Sequence, residues 1–127
     1  EIAYRQMNTD FTATRMLGYL YRVTSPRAED VVDEMLRVPD AASVATALWL
    51  ETQLGRKVGA STGTNMWGVL QLAARMREEG RTGSIVTLLC DSGERYLESY
   101  YNPQWVADNI GDIAPWQAEI AGLVERR

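Results

Sequence analysis

Residues Ser84 to Cys90 read Ser-Ile-Val-Thr-Leu-Leu-Cys, and this short run decides the expected fold class. It carries no charge, and Ile85, Val86 and Thr87 are β-branched. Its length and composition suit a buried strand of a parallel sheet better than one face of a helix. Just upstream, apolar Val69, Leu70, Leu72, Ala73 and Met76 predict a helix from about Asn65 to Glu79, ended by Gly80. Further back, Val44, Ala47, Leu48 and Leu54 predict a helix from Ala41 to Leu54, with Asp40 as its cap and Gly55 as its stop. The short piece Arg56 to Ala60 between these helices is expected to be extended. Helix, strand, helix, strand in this order implies an α/β architecture, a layered αβα piece with parallel strands and right-handed crossovers.

The ends of the chain read differently. Met7, Phe11, Ala13, Met16, Leu17, Leu20 and Tyr21 recur mostly at spacings of three and four, which predicts a leading helix with one apolar face. Asn8, Thr9 and Asp10 offer caps for it, and Ser25-Pro26 ends it. Residues 1–30 are therefore expected to form a helical lead segment and residues 31–127 the α/β part. Val31 to Val38 is compatible with a helix or a short strand. After Asp91 comes a tail with Tyr96, Tyr100, Tyr101, Trp105 and Trp116, expected to serve core or interface packing.

Composition removes several chemistries. The 127 residues include no histidine, so His-based triads, dyads, metal sites and general bases are absent from this chain. No metal site is expected. A net charge of −4 supplies no field for nucleic acid or an anionic membrane. No apolar run approaches the ~18 residues of a membrane span, and the first residues show no basic-plus-apolar leader. With one cysteine, no internal disulfide forms, and a cytoplasmic location is the expectation. Cys90, beside Asp91, is expected to pack in the core, because a neighbouring carboxylate raises a thiol pKa and quenches reactivity. Lys57, the sole lysine, is expected to be solvated, as are Glu78 and Glu79 at a helix end.

Two small-residue stretches sit just past the expected strands. They are Gly59-Ala60-Ser61-Thr62-Gly63-Thr64 and Asp91-Ser92-Gly93. Small residues let a ligand approach the backbone, and ligands in open α/β sheets gather beyond the carboxyl ends of the strands. The same residues also serve as caps and turns, and both readings stand at this point. The first stretch lacks the Gly-Lys-Ser/Thr ending of a P-loop and the glycine spacing of a dinucleotide fingerprint.

Taken in order, Val38–Ser43 (VPDAAS), Val58–Asn65 (VGASTGTN) and Leu88–Tyr96 (LLCDSGERY) resemble the C-terminal part of cysteine synthases. These are pyridoxal-phosphate (PLP) enzymes of fold type II, related to cystathionine β-synthase. The resemblance covers about residues 31 to 120. It implies PLP-dependent β-replacement, in which an activated serine and a sulfur nucleophile yield cysteine or a sulfur analogue, and it implies a homodimer. It assigns Ser92 to the pyridine nitrogen of PLP, Gly59 to the cofactor, and Ser61, Thr62 and Gly63 to the substrate cleft; Asp91 does not point at that nitrogen. The family's Schiff-base lysine and phosphate-holding glycine loop have no match in this sequence, and Lys57 does not correspond to that lysine. Hence no catalytic residue is expected within this chain, and residues 1 to 29 do not match the family. The alternative function is a non-catalytic interaction module that docks through the helix at residues 7 to 21 and the aromatic tail.

Overall fold

The computed structural model describes residues 34–125. The expected leading helix, and the lead segment of residues 1–30 as a whole, lie outside the described residues. The chain divides into two compact units, Glu1–Asp40 and Ala41–Arg127. Within the first, residues 34–39 have no regular secondary structure.

Four helices carry the rest: α1 at Asp40–Leu54, α2 at Ala60–Glu78, α3 at Pro103–Asn109 and α4 at Ala114–Glu125. Helix α1 stops where expected, because Gly55 takes a left-handed φ of 67° that other residues adopt only with strain. Gly80 does the same after α2, with φ 65°. Helix α1 is buried nearly all round from Ala42 to Ala47. Thr46 accommodates that burial by donating its hydroxyl to the Ala42 carbonyl at 2.7 Å.

Helix α2 begins at Ala60, five residues before the expected start at Asn65. Ser61, Thr62 and Gly63 are thus the first turn of a helix and not an open loop. Small side chains here allow α1 and α2 to touch closely. Ser43 and Thr64 share a buried hydroxyl–hydroxyl bond of 2.7 Å across the contact. Thr64 also bonds the Ala60 carbonyl at 3.0 Å. Gly63 lies so near α1 that a Cβ there would fall 2.1 Å from the Ser43 carbonyl oxygen.

On the other side, α2 packs against α4. Trp67 and Trp116 meet edge to face with centroids 5.6 Å apart. Gln71 donates to Glu119 at 2.8 Å, and Arg77 donates to the Leu123 carbonyl at 3.2 Å. Ile120 is 1% exposed, and burying such a side chain stabilises by on the order of 2 kcal/mol. Helix α3 is short and well started: Asn102 accepts from the amides of Gln104 and Trp105, and Pro103 supplies a preset first turn.

The expected strand is not formed. Ser84 to Cys90 has no regular secondary structure, and no β-strand forms among the described residues. Val86 is 91% exposed, Leu88 72% and Leu89 51%. The described secondary structure is therefore helical, and the parallel sheet expected from the sequence is absent from it. A lone strand cannot bury either face or satisfy its backbone; it needs neighbours that the described residues do not supply.

Candidate functional site

Two segments meet at one isolated antiparallel bridge between Val58 and Ser92. The Gly59 amide donates to the Asp91 carbonyl at 2.9 Å, and the Gly93 amide donates to the Lys57 carbonyl at 3.1 Å. The bridge brings together the two small-residue stretches singled out in the sequence. Gly93 makes this contact possible, since a Cβ on it would lie 2.5 Å from the Lys57 Cβ and 2.6 Å from the Val58 nitrogen.

Ser92 is exposed and caps the 3-10 turn Gly93–Tyr96. Its hydroxyl oxygen accepts from the Glu94 amide at 3.4 Å, which leaves the O–H proton able to donate outward. Gly59 is buried, and a Cβ there would meet the Tyr96 ring at 3.2 Å and Asp91 Cβ at 3.4 Å. Its missing side chain therefore makes room for Tyr96 and Asp91. The Asp91 carboxylate accepts from the Tyr96 hydroxyl at 3.3 Å. Partial burial, followed by that negative charge and hydrogen bond, raises the Tyr96 pKa.

The remaining predicted cleft residues are distributed less simply. Thr62 is buried, and its hydroxyl accepts from the Cys90 amide at 2.9 Å, tying α2 to the stretch before Asp91. Asn65 strengthens the tie by donating to the Leu88 carbonyl at 3.2 Å. Gly63 is pressed on α1, and Ser61 is half-buried.

Cys90 is exposed, contrary to the expected core position, because the strand that would have buried it is unpaired. Nor is Lys57 simply solvated. Its Nζ donates to Glu51 at 2.6 Å and sits 5.4 Å from the centroid of the Tyr101 ring. The hydrogen bond to Glu51, chiefly, raises its pKa. Glu78 and Glu79 are exposed as expected, with Glu79 paired to Arg81 at 2.6 Å.

The aromatic tail forms a packed series, in which Tyr100 lies 5.1 Å from Tyr96 and 5.6 Å from Trp105 between ring centroids. Sequence reasoning missed the part played by Tyr101. Its hydroxyl accepts from the Val58 amide at 2.9 Å and donates to the Val58 carbonyl at 2.6 Å. No local pattern reveals a bond spanning 43 residues.

Burial raises the Tyr101 pKa above the ordinary 10; the Glu51 and Glu94 carboxylates raise it further, while the Val58 backbone and Lys57 oppose the shift. A folded pKa above the unfolded one means that the stabilisation is complete below pH 10 and lost as pH rises through the folded value. The difference in phenolate absorbance between the native chain and Tyr101→Phe is expected to rise only above pH 10. A rise below pH 10 would contradict the buried, doubly bonded phenol.

L-cysteine desulfhydrase Cds1 of Mycobacterium tuberculosis is 48% identical over 90% of this chain and 30% of its own length. Cysteine synthase 2 of Schizosaccharomyces pombe is 37% identical over 62% of this chain and 19% of its own. The chain belongs to the cysteine synthase and cysteine desulfhydrase family. A Caenorhabditis elegans protein named as a candidate pyridoxal-phosphate-dependent protein is 37% identical over 68% of the chain and 20% of its own length. The chain spans less than a third of the length of each of these relatives. No family model and no solved structure matches it. Among the described residues, no helix is long and apolar enough to cross a membrane, and no acidic or cysteine cluster could hold a metal ion.

Proposed function

We propose that this chain forms the Ser92 side of a PLP site in an enzyme that makes or breaks the Cβ–sulfur bond of cysteine. The observation carrying this reading is the Ser92 hydroxyl, exposed on the bridge with its proton available, in a chain of the cysteine synthase and desulfhydrase family. Its chemistry fits one end of PLP: a neutral donor to the pyridine nitrogen. PLP supplies the electron-withdrawing ring that makes the substrate's α-proton removable and its β-substituent able to leave. Ser92 holds the ring nitrogen by a neutral hydrogen bond, so the ring stays a moderate electron sink. Gly59, through its bond to Asp91, fixes the backbone beside it, and the turn containing Ser61 and Thr62 holds the substrate side. Gly63 supports that turn by its close contact with Ser43.

The lysine that links PLP and the groups that hold its phosphate come from the remainder of a family-length protein. Lys57 is committed to Glu51 and Tyr101. The exposed segment Ser84 to Leu89 takes its place in the parallel α/β sheet of that protein, fold type II, as a homodimer in the cytoplasm. The substrates are an activated serine and a sulfur nucleophile, joined by β-replacement. A second reading, release of sulfide from cysteine, is favoured by the relative at 48% identity being named a desulfhydrase.

Incubation of the 127-residue chain with PLP and borohydride tests the division of labour. The expected outcome is no stoichiometric pyridoxyl adduct on Lys57 in the peptide map; such an adduct with turnover would overturn it. In a family-length protein carrying this segment, cysteine formation from activated serine and sulfide, measured against sulfide release from cysteine, decides between the two directions. Neither activity, in protein that binds PLP, would reject both.

A further inference from the structure

We infer that Tyr101 is a positioning residue of this site, clamping Val58 so that the bridge holds Gly59 and Ser92 in register. In the bridge, the hydrogen bonds flanking Val58 use the backbone of Lys57 and Gly59. Val58's own amide and carbonyl therefore face the opposite edge, where a further strand would normally receive them. No such strand stands there among the described residues. The Tyr101 hydroxyl takes its place, accepting from the Val58 amide and donating to its carbonyl. One phenol satisfies both backbone groups of a residue that is 3% exposed.

The groups around it support this role. Tyr101 stands at the end of the turn that begins at Ser92: Gly93–Tyr96 is 3-10, and the Tyr101 amide donates to the Tyr96 carbonyl at 3.2 Å. The hydroxyl thus returns to Val58, the bridge residue opposite Ser92, and closes a loop around the site. Tyr101 also forms part of the wall of a cavity of about 570 Å³ with Leu48, Val106 and Ile113, and its ring centroid lies 5.4 Å from Lys57 Nζ. Lys57, Glu51 and Glu94 are the charged groups facing it. Tyr101→Phe removes the two bonds to Val58 and keeps the ring.

This role rests on the reading that Ser92 and Gly59 face the cofactor, and its test separates the two. In the 127-residue chain, Tyr101→Phe is expected to accelerate hydrogen exchange at Val58, Gly59 and Gly93 by about tenfold or more, with α4 amides unchanged. Unchanged exchange at Gly59 and Gly93 overturns the inference, as does a uniform acceleration that includes α4. In a family-length protein carrying the segment, Tyr101→Phe is expected to weaken PLP retention about tenfold and to alter the absorbance spectrum of bound PLP. Local exchange changes together with unaltered PLP affinity and spectrum would leave the clamp in place and reject the cofactor-facing reading of Ser92.

Discussion

Gly63→Ala is expected to lower the melting temperature of the chain by more than about 12 °C. The new Cβ would stand 2.1 Å from the Ser43 carbonyl oxygen and 3.0 Å from the Ala47 nitrogen. Both obstacles are helix backbone, so no rotamer change relieves them. Overpacking of cores costs ~1–3 kcal/mol, and a clash with backbone belongs at or beyond the upper end. At ~4–8 °C per kcal/mol for a domain of this class, ~3 kcal/mol gives the stated shift. Separation of α1 from α2 would also strain the buried Ser43–Thr64 bond. Gly122→Ala is the control: it lies within α4 and has nothing within 4 Å of the added carbon. There the gain in helix propensity, ~0.5–1 kcal/mol, should raise the melting temperature. Circular dichroism melts of both variants check this, and a near-native melt for Gly63→Ala would contradict the close helix crossing.

The same glycine marks where sequence reasoning succeeds and where it stops. The ends of α1 and α2 were legible because Gly55 and Gly80 supply left-handed stops, a local property of the chain. The beginning of α2 was not. Ala-Ser-Thr-Gly resembles cap and turn chemistry, since hydroxyl side chains compete for the backbone outside helices. Here the Thr62 and Thr64 hydroxyls find partners on Cys90 and Ser43, so their polarity no longer opposes the helix. Ser84 to Cys90 failed differently. Its β-branched, uncharged composition indicates what the segment prefers to pair with, but pairing requires strands absent from the described residues. Gly59 and Ser92 were legible as members of two small-residue stretches, and the Val58–Ser92 bridge joins those stretches. The clamp by Tyr101 was invisible because it depends on tertiary return of a turn.

Ser92→Asp, in a family-length protein carrying this segment, is expected to fold normally yet lose cysteine formation by about 10² or more. Ser92 has two jobs on the proposed reading, and this substitution separates them. As the cap of Gly93–Tyr96 it accepts from the Glu94 amide. Aspartate caps as well as serine does, so the turn survives. As a partner of the pyridine nitrogen, however, aspartate brings a negative charge that favours the protonated ring. A protonated ring would draw electrons harder, so Ser92→Asp would slow departure of the β-substituent. Loss of ~3 kcal/mol of transition-state stabilisation corresponds to the stated factor. Ser92→Ala should behave in the opposite sense. It removes the cap, costing ~0.5–2 kcal/mol of stability, but adds no charge at the ring and loses one neutral hydrogen bond of ~1 kcal/mol. The order of the two variants is therefore reversed between stability and turnover: Asp the more stable, Ala the more active. If Ser92 serves only the turn, the Asp variant keeps near-native turnover. Thermal melts, absorbance spectra and rates normalised to bound PLP distinguish these outcomes, and near-native turnover in Ser92→Asp would remove Ser92 from the ring nitrogen.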